Sequence, residues 1–380
     1  MTYSTIFSHR SMVFDEFRNR LYSLAIRELV TTDSIVLDLG AGLGIHGLIA
    51  AAAGAKRVYL VEPEPVVRIA KEVAQANGLA DRVVVLEGRI EEVELPEQVD
   101  IIVSAFTGNL LFSEDLLPSL FHARVHYLKR GGRLIPDLSE LVMSPVAAPE
   151  MYEKYLGIWA QPADGIDFSA ARRFAANDIL WLSREELRAE PLASGVVLAS
   201  VDLMAMTKAD CDGIAHCEVK TSGLCHGLLG WIRVRLGTHW LASAPDEPRV
   251  HWNPVLLPLD PPLPLTAGEE IAISVRRPAL GDWTWSIQSG AGSRRNSTFL
   301  ARADGLQRLR KIAVDHCAGI NRNGEITLRA LTMMREGRTN GEIAQALFDA
   351  DRTRFTEFDE ALQLVRRLAL RYAGDPGTSA

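Results

Sequence analysis

Three glycines at alternate positions, Gly40, Gly42 and Gly44, follow the apolar run IVLDL and precede the alanine-rich stretch IHGLIAAAA. Absent side chains at a strand-to-helix turn let backbone N–H groups approach a ligand near a helix N-terminus. Eighteen positions beyond Gly44, Glu62 ends a second apolar run, VYLVE, and its carboxylate is suited to accept from both hydroxyls of a ribose. The full GxGxxG spacing of a pyrophosphate site is missing, because Gly44 is followed by Ile45 and His46 and the next glycine is Gly47. An adenosine cofactor without pyrophosphate, S-adenosylmethionine, fits these residues better than NAD. Asp38 has two readings: it holds the backbone of the glycine turn, or it receives the cofactor's ammonium group through a water. Gly88, Ile90 and Glu91 follow a third apolar run, where Ile90 can pack on an adenine and Glu91 accept from its amino group.

The elements needed to position these residues are legible in the hydropathy pattern. Residues 12–30 repeat apolar positions at spacings of three and four, which predicts an amphipathic helix. Strand, glycine turn, helix, strand over 34–62 is half of an open parallel α/β sheet. It continues with helix 65–77, strands 83–86 and 99–103, helix 114–127 and a turn at KRGGRLIPD. From about residue 138 the texture changes to alternating β-branched segments separated by Pro/Gly-rich turns, which predicts an antiparallel, barrel-like domain. Within it, 147–180 carries short helical candidates that suggest a projection. After about 303 the pattern is helical again. The predicted organisation is a cofactor-binding domain at 1–137, a barrel-like substrate domain at 138–303, and a small helical, winged-helix-like domain at 304–380.

Composition narrows the classes. The 380 residues are 47% hydrophobic with a net charge of −7 and no dense basic run, which argues against a nucleic-acid groove. Four cysteines, 211, 217, 225 and 317, have neither disulfide-scaffold nor zinc-ribbon spacing, and the histidines show no ligand clustering, so no metal is expected. No signal peptide or membrane-spanning run is read at the N-terminus, and the expected compartment is the cytoplasm.

VLDLGAGLG, VYLVEPE, EVELPEQVDIIVS, LKRGGRLIPD and an HW pair together resemble the protein arginine methyltransferases, densely over 12–137 and more thinly over 138–300. The resemblance implies a class I S-adenosylmethionine-dependent methyltransferase. It places Met12 near the sulfonium, Arg18 on the cofactor carboxylate, and Asp15 against a barrel histidine. Read without the family, Met12 is a core residue and Arg18 a charge on an amphipathic helix. Two HW pairs compete for the histidine. The context of His251-Trp252, after APDEPRV, matches better than the literal Thr238-His239-Trp240, so the implied partner of Asp15 is His251.

The family holds a substrate guanidinium between two glutamates of one loop. Here that loop reads SAFTGNLLFSED, with Ala105 at the first acid and Glu114 at the second. A planar guanidinium is well matched to carboxylate pairs, so the expected acceptor shifts toward a small molecule or peptide methylated on nitrogen, a guanidino group included. The alternatives are a protein arginine methyltransferase with a rearranged acid clamp, where an acid from elsewhere such as Asp115 compensates, an O-methyltransferase, or a noncatalytic binding protein. Glu114, His251 and Asp15 are the candidate catalytic residues. Ala105, Phe106, Asn109, Ser119 and Trp252 are the candidate acceptor-pocket residues. The segment 147–180 matches the family's dimerisation arm, which implies a homodimer.

Overall fold

In the computed structural model, which describes residues 5–303 and 305–373, two compact units divide after Ala303. The first begins with two helices, α1 (Ile6–Val13) and α2 (Glu16–Leu29), where the periodicity over 12–30 predicted one. The break has a local cause: Asp15 accepts a hydrogen bond from the Arg18 backbone N–H at 3.0 Å, capping α2 and turning the chain at Phe14.

A five-stranded parallel sheet follows, built from β1 (Ile35–Leu39), β2 (Arg57–Glu62), β3 (Val83–Glu87), β4 (Val99–Ser104) and β5 (Leu128–Ile135) in the order β3-β2-β1-β4-β5. Helices α3 (Ile45–Ala52), α4 (Val67–Ala76) and α5 (Leu117–Tyr127) connect them. All five residues of β1 are buried, as expected for a strand covered on both faces. The KRGGRLIPD stretch, read as a turn, belongs largely to β5, which pairs with β4 through Arg133–Ile135. The chain leaves β1 toward β2 on one side and returns to β4 on the other. The crevice at the carboxyl end of β1, where the glycine turn lies, is therefore the switch point of the sheet.

The remaining elements of this unit are β6 (Leu138–Ala147), α6 (Pro149–Tyr155), α7 (Arg172–Ala175), β7 (Leu180–Trp181), β8 (Glu190–Pro191), β9 (Val196–Asp202), β10 (Cys211–Glu218), β11 (Gly223–Leu236), β12 (His239–Ala242), β13 (Val255–Leu265), β14 (Glu270–Arg277), β15 (Thr284–Ser289) and β16 (Gly292–Ser297). One sheet runs β7-β13-β11-β6-β8, with β9 on β6 and β12 on β11, and a second runs β10-β14-β15-β16. Trp285, fully buried, donates its indole N–H to Pro258 O at 2.9 Å and links the two. A single hydrophobic cluster runs from the parallel sheet into both barrel sheets. The expected boundary at 137/138 is thus a change of architecture within one compact unit, and Arg235 spans it with a two-bond pair to Asp137.

Over 147–180, α6, two short 3-10 turns and α7 replace regular sheet. Asp260 anchors this segment to the barrel through Arg172 and Tyr152. The second unit holds α8 (Leu306–Lys311), α9 (Arg322–Arg335), α10 (Asn340–Ala350) and α11 (Phe358–Tyr372). Met333, Ile343, Leu347, Phe355 and Val365 form its own core, and a Thr339/Glu342 capping box starts α10. The helices expected there are present, and the described residues contain no strand that would make a wing.

Gly47, one place too late for a pyrophosphate motif, has a packing role. A Cβ there would lie 2.2 Å from the fully buried Leu60 and 3.1 Å from Asp38, so α3 sits on β1 and β2 only because the position lacks a side chain. Gly47→Ala should destabilise the first unit by about 1–3 kcal/mol. Urea unfolding with an unchanged midpoint would contradict that.

Candidate active site

The turn after β1 takes positive φ at Gly40 (70°), Gly42 (54°) and Gly44 (79°), so each glycine meets a backbone requirement as well as a spatial one. A Cβ on Gly40 would meet the Phe106 ring at 2.3 Å, and one on Gly42 the His9 ring at 2.8 Å. Two rings therefore frame the turn, one from the acid loop after β4 and one from α1. Glu62, 8% exposed, accepts from the backbone N–H groups of Gly42 at 3.0 Å and Glu64 at 3.1 Å, one on each oxygen. Burial raises its pKa. Asp38 accepts from Gly47 N–H at 2.7 Å and so holds the first turn of α3, the structural one of its two readings. Burial pushes its carboxyl up to about 7. Gly88 donates its N–H to Glu62 O at 3.0 Å, which places the third-strand loop beside Glu62, and Ile90 in that loop is buried.

Glu91 accepts from Ser119 Oγ at 2.6 Å. Ser119, assigned from the sequence to the acceptor wall, is thus placed at the Glu91 loop instead.

Arg18 on α2 is 2% exposed and, among the described residues, forms no ion pair. Its guanidinium donates to Asn19 Oδ1 at 3.1 and 2.9 Å and to Met12 O at 2.8 Å, and one Nη lies 3.5 Å from His251 Nε2. On the far side of that imidazole, Asp15 Oδ2 lies 3.0 Å from Nδ1 and accepts the His251 backbone N–H at 2.7 Å. Although burial raises the Asp15 carboxyl, hydrogen bonds from His251 and Arg18 outweigh it and the net pKa is lowered. Burial lowers that of His251. An ionised Asp15 beside a neutral imidazole assigns the proton to Nδ1 and leaves the Nε2 lone pair toward Arg18. His239 lies elsewhere, 3.1 Å from Glu28 on α2.

In the acid loop, Gly108 is pressed on Trp252, whose Nε1 would lie 2.2 Å from an added Cβ. Asn109 donates to Glu114 at 2.7 Å, and Glu114 is exposed. Asp115 does not act as a replacement acid: both its oxygens are taken by Arg277, at 2.7 and 3.0 Å. A cavity of about 580 Å³ opens beside Asp15 and His251, walled by Phe14, Phe17, Arg20 and Arg249. Sequence reasoning missed His9, one helical turn before Met12. It also missed Asn19, which braces Arg18, and Tyr22, whose hydroxyl donates to Ser104 O at 3.0 Å just before Ala105. Tyr22 in turn stacks on His46 at 4.1 Å between ring centroids.

These residues suit S-adenosylmethionine. Arg18, a buried guanidinium with no ion pair among the described residues, is costly to leave uncompensated, and an anionic group such as a cofactor carboxylate would compensate it. Fold and site together define a class I S-adenosylmethionine-dependent methyltransferase.

Residues 36–132 match a family described as a methyltransferase domain, and 139–280 match the arginine methyltransferase oligomerization subdomain. Protein arginine N-methyltransferase 6 of Xenopus laevis is 34% identical over 301 residues, 75% of this chain and 85% of the relative. A probable protein arginine N-methyltransferase 6 of Arabidopsis thaliana is 39% identical over 176 residues, 46% of this chain and 40% of the relative. Among solved structures, the Trypanosoma brucei PRMT1 enzyme-prozyme heterotetrameric complex with AdoHcy is similar with a TM-score of 0.70 at 25% identity, covering 78% of this chain and 99% of that one. Arabidopsis protein arginine methyltransferase 10, in an open conformation, gives 0.66 at 20% identity with the same coverage and shares the fold. The chain belongs to the protein arginine N-methyltransferase family. That membership favours the alternative reading of the acid loop over the leading small-molecule one.

Two outcomes test the geometry. Glu62→Ala removes a buried acceptor and should weaken S-adenosylmethionine binding by about 1–3 kcal/mol in calorimetry; equal affinity would remove Glu62 from the cofactor site. His251 has a lowered folded pKa, so the stability it contributes is present above its unfolded pKa and lost as pH falls through the folded one. The difference in unfolding free energy between wild type and His251→Gln should therefore narrow from about pH 7 to about pH 5. A constant difference across that window would contradict the neutral imidazole.

Proposed function

We propose that the chain is an arginine N-methyltransferase that holds its acceptor guanidinium with one loop carboxylate, Glu114. The observation that carries this reading is the state of the loop's acids. Position 105 is alanine and Asp115 is bound to Arg277, whereas Glu114, among the described residues, is partnered by an amide, Asn109, and remains open to a cationic donor.

S-adenosylmethionine supplies an electrophilic methyl group. The chain's residues supply position and a route for a proton. An acceptor nitrogen that gains a methyl must lose one proton, and Glu114 is placed to orient that N–H and receive it. The Asp15–His251 pair fixes α2 against the barrel beside Arg18, one of the residues that would hold the cofactor. Trp252 backs the loop at Gly108. Phe14 and Phe17 wall the cavity outside the pair, which gives a peptide flanking the guanidinium a surface to lie on.

The reading extends to assembly. We propose that the barrel's 147–180 segment, anchored through Asp260 and exposing Ile158, Ile166 and Phe168, meets a second copy. Light scattering of residues 1–303 should report a dimer, and a monomer at micromolar concentration would contradict it.

The catalytic reading is tested with labelled S-adenosylmethionine and a panel of single-arginine peptides. Glu114→Gln should slow transfer by roughly 100-fold or more with cofactor affinity unchanged. Undiminished transfer by that variant would move the acceptor site away from Glu114.

A further inference from the structure

Arg277 ends β14 and is 5% exposed, on the barrel side of the acid loop. One Nη donates to Phe112 O at 2.8 Å and to Asp115 Oδ1 at 2.7 Å, and the other donates to Asp115 Oδ2 at 3.0 Å. The guanidinium therefore grips the loop on both sides of Glu114, through a backbone carbonyl two residues before it and a carboxylate one residue after it. Trp283 completes the socket, with its ring 5.6 Å from the guanidinium carbon and 6.3 Å from the Phe112 ring.

The gripped segment is one that would not keep its shape unaided. Asn109, Leu110, Leu111 and Asp115 have φ of 42°, 62°, 63° and 56°. Left-handed backbone is disfavoured at residues with a Cβ, most of all at Leu110 and Leu111, so surrounding contacts must hold it. Leu110, Leu111 and Phe112 are buried, but Glu114 is exposed and, among the described residues, tied to Asn109, itself one of the left-handed residues.

We infer that Arg277 is the positioning residue of the acceptor site, a barrel clamp that sets where Glu114 stands and thereby how the guanidinium is presented. The inference rests on the reading of Glu114 given above. A bidentate fork is required for the grip, since lysine keeps the charge but cannot hold both carboxylate oxygens and a carbonyl in one plane. The adjacent Arg276 supplies an internal control. Its pair with Asp212 is long, at 3.7 Å, and exposed on both sides, so it touches nothing in the loop.

The test uses the full chain with R277K, R277A, D115N, R276A, E114Q and the double variant R277K/E114Q. Without any acceptor, amide hydrogen exchange over residues 106–116 should accelerate in R277K and D115N, stay at the wild-type rate in R276A, and remain unchanged over the glycine turn in all of them. With the best single-arginine peptide from the panel, R277K should lose roughly 100-fold in kcat/KM, the penalty of a displaced catalytic group. The double variant should be no slower than E114Q alone, because a clamp that acts through Glu114 has nothing further to lose. A purely structural role would instead lower both rates multiplicatively. Such multiplication, or unchanged exchange over 106–116 in R277K, overturns the inference. Should R277A fail to fold, R277K and D115N decide the matter. A wild-type chain that methylates no guanidino peptide overturns the reading of Glu114, and the exchange data then judge the clamp by themselves.

Discussion

The hydrogen bond between Asp15 and His251 joins residues 236 positions apart, and the geometry of the cleft depends on it. Asp15 uses one carboxylate for two tasks, capping α2 through Oδ1 and binding His251 through Oδ2. The cap fixes where α2 begins and so where Arg18 points. The histidine fixes the barrel loop to the same helix. Arg18 is then left buried between Met12 O, Asn19 and the imidazole, with no ion pair among the described residues. A cation kept in that condition would gain further compensation from an anion bound beside it.

Besides Glu28 with His239, three carboxylate contacts among the described residues join the barrel to the parallel-sheet half: Asp15 with His251, Asp137 with Arg235, and Asp115 with Arg277. The second lies at the architectural change after β5, and the other two hold α2 and the acid loop. This arrangement explains how one loop acid can be absent without dismantling the site. Ala105 removes a ligand for the guanidinium, whereas the loop's shape is held by buried Leu110, Leu111 and Phe112 and by contacts that do not involve position 105.

The parts of the site that were legible in sequence are those set by local rules. Glycines at 40, 42 and 44 announce a turn because the backbone there requires positive φ, and the apolar runs on either side place that turn between a buried strand and a helix. Glu62 follows from its place at the end of β2. The break of the first helix was missed because the apolar spacing continues through Phe14, although Asp15 in front of a charged turn was the available signal. Ser119 and Asp115 were misplaced for a common reason: each is near Glu114 in sequence, but its side chain is taken by a partner from another element, Glu91 or Arg277. Arg277 is 162 residues from Asp115, and nothing in the RRP stretch marks which of its two arginines turns inward.

The central claim is that loss of the first loop acid leaves nitrogen chemistry on a guanidinium intact. It is tested most directly by the identity of the methylated atom. A single-arginine peptide incubated with the full chain and carbon-13 methyl-labelled S-adenosylmethionine should give a product whose labelled methyl correlates, by NMR, with the guanidino carbon of that arginine. A label on any other atom of the peptide, or no label under conditions where calorimetry shows the cofactor bound, would contradict the account.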